Sequence, residues 1–242
     1  MLSNQTIQKL NQLHLAQDAY KPNPDITDQL TAKTIVMIVG ATYEGKNRVM
    51  ETTTQLNERF SIAGTRTSRE PRQDDDRSRY VYYQNSDEGL SAVLGNIERR
   101  SMVQYAVNPY SQLIYGTAID DYPGEYNLKD VFSSAINNFR HLGFKKAIAI
   151  TIITDPTVWL ARFEERFPRG HPQRQARRDE AVESFTWSLS QTHDHYWVQN
   201  IEGDPAVAAK TLIDIALGTS HGQPDTRQLA TASVEAARSI VL

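Results

Sequence analysis

A glycine-rich segment that ends in lysine is the most specific chemical signal in the sequence. Residues 40–46 read Gly-Ala-Thr-Tyr-Glu-Gly-Lys and match G-x-x-x-x-G-K, but Asn47 stands where Ser or Thr normally follows. In a phosphate loop of this pattern, backbone N–H groups surround phosphate oxygens and the next helix adds its positive end. The lysine reaches the β- and γ-phosphates of a nucleotide. The segment therefore predicts a phosphate loop, with an ordinary strand-to-helix turn as the alternative.

Two arginine clusters are the next candidates for phosphate chemistry. The segment 65–72 contains three arginines and three hydroxyl side chains. Arg69 and Arg72 are three positions apart, and arginine side chains bind phosphate bidentately. The second cluster suits a mobile cationic flap that closes over a transferred phosphoryl group. For both clusters the alternative is a solvated charged surface, because acidic residues stand beside them. The second cluster consists of Arg162, Arg166, Arg169, Arg174, Arg177 and Arg178.

Apolar runs indicate the elements that could position these groups. Residues 34–39 form a nearly continuous β-branched run, typical of a strand buried on both faces of a parallel sheet, and they lead into the glycine segment. Because further strands and helices alternate along the chain, we predict an α/β fold with a parallel sheet. The strands are predicted at 146–154 and 196–198, and short strands within 65–83 and 101–117. The helices are predicted near 49–56, 132–142, 181–190 and 204–217, with a further helix that starts near Thr157.

Both ends of the chain carry helical patterns. An amphipathic helix is predicted over residues 3–20, and the two prolines of 21–33 predict a linker. We expect this leader to pack on the core or on a second copy of the chain, giving a homo-oligomer. The last residues, 221–242, have a polar start followed by a helical pattern.

Composition excludes several classes of function. The 242 residues include 26 Lys and Arg against 29 Asp and Glu, and this net charge of −3 argues against a protein that coats nucleic acid. The absence of cysteine excludes disulfides, zinc–thiolate sites and thiol catalysis. No apolar stretch approaches the ~20 residues of a membrane helix, and the polar N-terminus is unlike a secretory signal. We therefore expect a cytoplasmic protein with no membrane or nucleic-acid partner.

In this order, the segments resemble the guanylate kinase family over residues 34–217. Each motif is weak alone, but seven of them follow one another at near-family spacing. They are the loop 40–46; Thr67-Ser-Arg-Glu-Pro-Arg72, similar to T-T-R-x-P-R; Tyr80-Val-Tyr82, similar to Y-x-F; Val103-Gln-Tyr-Ala106, similar to I/L-E-[WY]-A; Tyr115-Gly-Thr117, similar to Y-G-[ST]; Arg162-Phe-Glu-Glu-Arg166, similar to R-L-x-x-R; and Tyr196-Trp-Val-Gln-Asn200, similar to Y-V-I-x-N.

The resemblance implies a P-loop kinase with a three-layer α/β/α core, a nucleotide-binding insertion at about 64–120 and a helical lid at about 162–180. Residues 1–33 and 218–242 would be a leader and a C-terminal extension outside it. The implied activity is transfer of the γ-phosphoryl of ATP, bound with Mg²⁺, to a nucleoside monophosphate such as GMP or dGMP. The alternative is a catalytically inactive module of the same fold that binds a phosphorylated ligand or protein.

The resemblance also implies roles for individual residues. The catalytic cations would be Lys46, Arg162, Arg166 and Arg177. ATP would bind Gly40, Ala41, Thr42, Tyr43, Glu44, Gly45, Lys46, Asn47 and Arg48. The acceptor would bind Thr65, Arg69, Arg72, Tyr80, Gln104, Tyr115, Thr117 and Asp130.

Three departures from the family pattern bear on this chemistry. Asn47 and Arg48 replace the hydroxyl pair after the lysine, and an amide is a poorer Mg²⁺ ligand than a hydroxyl. Gln104 stands where the family has a guanine-reading glutamate, so one acceptor and one donor replace two acceptors. Only Asp130 remains of the two aspartates of the family's L-D-I-D strand. The pair His193 and His195 has no third convergent ligand in the sequence, so no metal site is predicted.

Overall fold

A computed structural model describes residues 2–73, 75–108 and 111–241 of the chain. The strands are β1 Thr34–Val39, β2 Phe60–Ile62, β3 Thr65–Thr67, β4 Tyr80–Tyr82, β5 Gln104–Val107, β6 Ile114–Thr117, β7 Tyr126–Asp130, β8 Lys146–Ile153 and β9 His195–Gln199. The helices are α1 Asn4–Ala16, α2 Pro24–Leu30, α3 Lys46–Leu56, α4 Asp87–Glu98, α5 Ile136–Arg140, α6 Pro156–Arg166, α7 Arg174–Ser190, α8 Pro205–Leu217 and α9 Arg227–Ser239.

The larger sheet has the strand order β2-β7-β1-β8-β9. All six residues of β1 are buried, as the continuous apolar run predicts for a central strand. β8 and β9 pair in parallel, with Ile150 opposite Tyr196 and Ile152 opposite Val198. The predicted α/β class with a parallel-sheet core is confirmed.

The smaller sheet has the order β4-β3-β6-β5, and one of its faces is covered by helices. Tyr105, Val107 and Ile114 on that face pack with apolar residues of α1 and α4, and all three are nearly inaccessible to solvent. The helical residues in this cluster are Leu10, Leu90, Val93, Leu94 and Ile97.

The chain forms two compact units. The first contains residues 1–34, 61–127 and 137–146, and the second contains residues 35–60, 128–136 and 147–242. The leader therefore belongs to the same unit as the segment predicted to be the nucleotide-binding insertion. The smaller sheet lies in the first unit, and the glycine-rich segment lies in the second.

The predicted linker 21–33 is partly helical. Asn23 accepts a hydrogen bond from the N–H of Ile26 at 3.0 Å, and Pro24 is the first residue of α2. A proline in the first turn has no N–H that the helix needs and already has a helical φ, so it begins the helix here and does not break it.

The arginine-rich segment of the second unit is folded as α6 and α7. Arg174 is only 3% exposed. Its guanidinium donates to both carboxylate oxygens of Glu164, to the carbonyl of Phe167 and to that of Val241. Arg174 therefore joins the two helices and the C-terminal segment, a structural role that the sequence pattern does not distinguish from a cationic flap.

Candidate functional site

The glycine-rich segment connects the end of β1 to the start of α3. Gly40 and Gly45 have φ angles of 145° and 81°, where residues with a side chain are rare. A Cβ on Gly45 would lie 2.2 Å from Asn200 Nδ2, and one on Gly40 would lie 2.6 Å from the carbonyl oxygen of Ile152. Both glycines are therefore required by the turn that carries the chain from strand to helix.

Lys46 is the first residue of α3, and its side chain folds back over the loop. Its Nζ donates to the carbonyls of Gly40 at 2.5 Å and Ala41 at 3.0 Å, and it lies 3.7 Å from Oδ1 of Asp130. Only 13% of the side chain is exposed. The ammonium group is thus held at the place where the predicted loop would receive phosphate. Asn47 and Arg48, in contrast, are exposed on the first turn of α3.

Helix α6 braces the outer side of this loop. Trp159 Nε1 donates to the carbonyl of Thr42 at 3.0 Å, and Arg162 Nη1 donates to the carbonyl of Tyr43 at 3.2 Å. Tyr43 has φ 75°, which is uncommon for an aromatic residue, and its ring lies 5.7 Å from that of Phe167. Arg162, predicted to be a catalytic cation, therefore holds the loop backbone in this structure, and it also pairs with Glu202 at 3.1 Å.

Glu44 lies inside the second unit with no exposed surface. One carboxylate oxygen accepts a hydrogen bond from the backbone N–H of Thr154, and the other, Oε1, has no partner among the described residues. Burial raises the pKa of Glu44 to about 8, and the opposing effects of the Thr154 bond and of the Lys46 and Arg162 charges are smaller. Its side chain faces the protein interior, so only its backbone is available to a ligand in the loop.

A cleft of about 360 Å³ opens beside the loop. Lys46, Asp130 and Arg177 all line it, so two of the predicted catalytic cations and one predicted acceptor residue are brought together. Glu180 accepts from Arg177 at 2.7 Å and from the hydroxyl of Thr42 at 3.3 Å, which ties α7 to the loop. Arg166 is exposed and does not line this cleft. Ser133 and Ser134 add hydroxyl groups to the lining, which also includes Phe132, whose surface is 68% exposed.

The strand register of the first unit gathers the predicted acceptor residues on one face. Thr65 pairs with Tyr80, and Gln104 pairs with Thr117. Tyr115 pairs with Thr67 on one side and with Ala106 on the other. Since paired residues point to the same side of a sheet and side chains alternate along each strand, these positions share the face opposite to the helices. The register therefore places five predicted acceptor residues together: Thr65, Tyr80, Gln104, Tyr115 and Thr117.

These five residues differ in accessibility. Thr117 is completely buried, and its hydroxyl lies 2.9 Å from that of the buried Tyr122, whose pKa is raised by burial. Thr65, Tyr80, Gln104 and Tyr115 are only partly buried. Thr117 is therefore covered by Tyr122 and contributes to packing on this face, whereas the other four can meet a ligand.

Arg69 and Arg72 follow β3 in the first unit, beside an aspartate that the sequence analysis did not single out. Arg69 binds the carboxylate of Asp75 through Nη1 and Nη2, each at 2.7 Å, and the N–H of Arg72 donates to the same carboxylate at 2.7 Å. The Arg69 guanidinium also lies over the ring of Tyr80, at 5.0 Å from its centroid. The Arg69 pair keeps the pKa of Asp75 well below its usual range. The side chain of Arg72 is exposed.

Across residues 2–73, 75–108 and 111–241, no three His, Asp or Glu side chains are grouped to hold a metal ion. Within the same residues, no helix is both long and apolar enough to cross a membrane.

No protein-family model matches the chain, and no curated protein matches its sequence. A guanylate kinase from Anaplasma phagocytophilum has a similar structure, with a TM-score of 0.48 and 14% sequence identity, covering 84% of this chain and 97% of that chain. A match at this level says nothing about activity, so the chemistry of the site rests on its own residues.

Proposed function

We propose that this protein transfers the γ-phosphoryl group of ATP to a nucleoside monophosphate. The observation that carries the proposal is the loop 40–46, in which two required glycines turn the chain between β1 and α3 and Lys46 lies over the turn. Backbone N–H groups at a helix start, together with a lysine, form a binding site for the phosphates of a nucleotide.

Reaction would need Lys46 to exchange its carbonyl partners for phosphate oxygens. An oxygen of the acceptor's phosphate forms a bond to the γ-phosphorus as the bond to the β–γ bridging oxygen breaks, and ADP leaves. Lys46 and Arg177, which line the same cleft, would neutralise the charge that develops on the transferred group. No covalent enzyme intermediate is required, because the protein's contribution is positioning and charge stabilisation.

Magnesium would enter as part of the MgATP substrate. Asp130 and Glu180 supply carboxylate oxygens in the cleft, and Mg²⁺ in nucleotide sites needs only one or two carboxylates besides phosphate and water. These residues fit such a complex even though Asn47 provides no hydroxyl.

The acceptor would bind on the face of the smaller sheet opposite to α1 and α4, which we call the open face. Gln104, Tyr80 and Tyr115 share that face by register and are partly exposed. Arg72, which is exposed and follows β3 of the same sheet, would meet the phosphate. The guanine-like acceptor is expected from the resemblance, and Gln104 predicts a weak preference for it.

The test is a coupled ADP-release assay with MgATP and a panel of nucleoside monophosphates. The proposal predicts turnover that requires both substrates and that is lost in Lys46→Ala. Arg99→Ala, which removes an exposed cation just after α4, is the control and should retain activity. Tight nucleotide or phosphate binding without ADP release for any acceptor would instead favour the inactive binding module.

A further inference from the structure

Asp75 is surrounded by hydrogen-bond donors that would suit a phosphate group. Its Oδ1 accepts from Arg69 Nη2, and its Oδ2 accepts from Arg69 Nη1, both at 2.7 Å. Oδ2 also accepts from the backbone N–H of Arg72 at 2.7 Å and from the hydroxyl of Tyr82 at 2.6 Å. An arginine fork, a backbone N–H and a hydroxyl are the donors with which proteins commonly hold phosphate oxygens.

The contact is largely shielded from water. The Arg69 and Asp75 side chains are 10% and 8% exposed. The Arg69 guanidinium lies over Tyr80 and Tyr82, whose rings stack with their centroids 5.5 Å apart. A carboxylate in such a position is held much more firmly than one in an exposed ion pair.

The donors of Arg69 at this end of the guanidinium are already in use. A guanidinium has five N–H groups. Nη1 donates to Asp75 and to the carbonyl of Glu70 at 2.9 Å, and Nη2 donates to Asp75. The fork formed by Nη1 and Nη2 can therefore accept a second anion only if the Asp75 carboxylate leaves.

We propose that Asp75 occupies the phosphate position of the acceptor site, and that a phosphate monoester binds there by replacing it. This inference rests on the proposed function, because it assumes that the open face of the smaller sheet receives a nucleoside monophosphate. When the ligand displaces it, the Asp75 carboxylate moves into water. Arg69, the Arg72 N–H and the Tyr82 hydroxyl then donate their hydrogen bonds to the phosphate of the ligand.

Because the Asp75 carboxylate occupies the phosphate position, it lowers the apparent affinity of the site for a phosphate monoester. The apparent dissociation constant equals the intrinsic one divided by the fraction of molecules in which the site is open. If Asp75 is bound in nine of ten molecules, removing its charge tightens the ligand by about tenfold. The opposite interpretation is that Asp75 only orients Arg69 and that phosphate meets another edge of the guanidinium. In that case, removing Asp75 weakens binding.

The experiment compares full-length wild type, Asp75→Asn and Asp75→Ala by calorimetric titration with GMP and, separately, with inorganic phosphate. Asp76→Asn is the matched control, because Asp76 carries the same charge in the same loop but binds Ser78 and Arg79. We expect both ligands to bind about tenfold or more tightly to the two Asp75 variants and unchanged to Asp76→Asn. Adding Arg69→Ala to Asp75→Ala should remove the gain.

Each outcome decides one question. Equal or weaker binding to both Asp75 variants, with GMP still bound by wild type, overturns the displacement and leaves the proposed function intact. Absence of GMP binding in every protein, including Asp76→Asn, removes the proposed acceptor site and this inference with it.

A spectroscopic titration of the unmodified protein tests the displacement directly. The Asp75 carboxyl ¹³C signal should report a pKa well below the usual value without ligand, because of its Arg69 pair, and a pKa near the ordinary value of about 3.9 with GMP bound. A pKa that stays low in the GMP complex shows that Asp75 keeps its partners and refutes the proposal.

Discussion

Replacing Glu44 with glutamine should change how the stability of the second unit depends on pH. The buried carboxyl has a pKa of about 8, whereas an unfolded glutamate titrates near 4.3. Because the folded pKa is the higher one, the stabilisation is complete below about pH 4 and is lost as the pH rises through 8. The amide of glutamine has the same size, can still accept from Thr154, and does not titrate.

The size of the effect follows from the two pKa values. Stability falls by 1.36 kcal/mol for each pH unit over which the unfolded carboxyl has lost its proton and the folded one has kept it. Between pH 5 and pH 8 the wild type should therefore lose about 3–4 kcal/mol of unfolding free energy relative to Glu44→Gln. Since the group is completely buried, solvent screening does not reduce this value appreciably.

Tryptophan fluorescence can follow this unfolding. Trp159, Trp187 and Trp197 all belong to the second unit, so urea titrations at pH 5, 6, 7 and 8 report on the unit that contains Glu44. Glu165→Gln, at an exposed position on α6, is the control and should follow the wild-type profile. If the free energies of wild type and Glu44→Gln keep a constant difference across this pH range, Glu44 does not retain a proton in the folded state and the reasoning fails.

Three further predictions concern the proposed reaction. Lys46→Ala should abolish ADP release and leave the far-UV circular dichroism unchanged, because the ammonium binds loop carbonyls and not the core; full turnover in this variant would remove the loop from the mechanism. Arg72→Ala should raise the KM for the acceptor about tenfold to a hundredfold, the loss expected for a hydrogen bond to a charged group, and steady-state kinetics should show little change in the KM for ATP. Gln104→Glu should raise kcat/KM for GMP relative to other monophosphates by about 1–2 kcal/mol, since two acceptors then face the two guanine donors; an unchanged ratio would show that Gln104 does not contact the base.

The elements around the phosphate loop could be predicted because their signals are local. The run 34–39 coincides with β1, and the strands predicted at 146–154 and 196–198 correspond to β8 and β9 within a few residues. A strand buried on both faces is apolar along its whole length. It can therefore be recognised in the sequence without knowledge of its partner strands or of the loops.

Two helices were not predicted, for different reasons. Helix α4 begins after the cap Ser86 and buries Leu90, Val93, Leu94 and Ile97, and this helical spacing is itself a signal in the sequence. The two prolines of 21–33 predict a linker, but Pro24 directly follows the cap Asn23, which is a start signal, and α2 begins there.

The roles of Glu44 and Asp75 depend on partners that sequence spacing does not reveal. The partner of Glu44, Thr154, is 110 residues away along the chain. Asp75 belongs to the acidic residues that follow the first arginine cluster, and nothing in the sequence indicates that its carboxylate binds the Arg69 guanidinium and the Arg72 N–H and not water. The register that aligns Gln104 with Thr117 is likewise a property of the folded sheet.

Helix α1 has a further consequence for the smaller sheet, whose last strand is β5. The Gln17 side chain, just after α1, accepts from the Val107 N–H at 2.8 Å, and His14 Nδ1 lies 2.9 Å from the Val107 carbonyl. Open edges of sheets invite strands of other molecules, and proteins avoid aggregation by covering them. A chain shortened to begin at residue 21 should therefore scatter more light on gentle warming than the full chain does. On this reasoning, the leader protects the edge strand β5 from pairing with strands of other molecules.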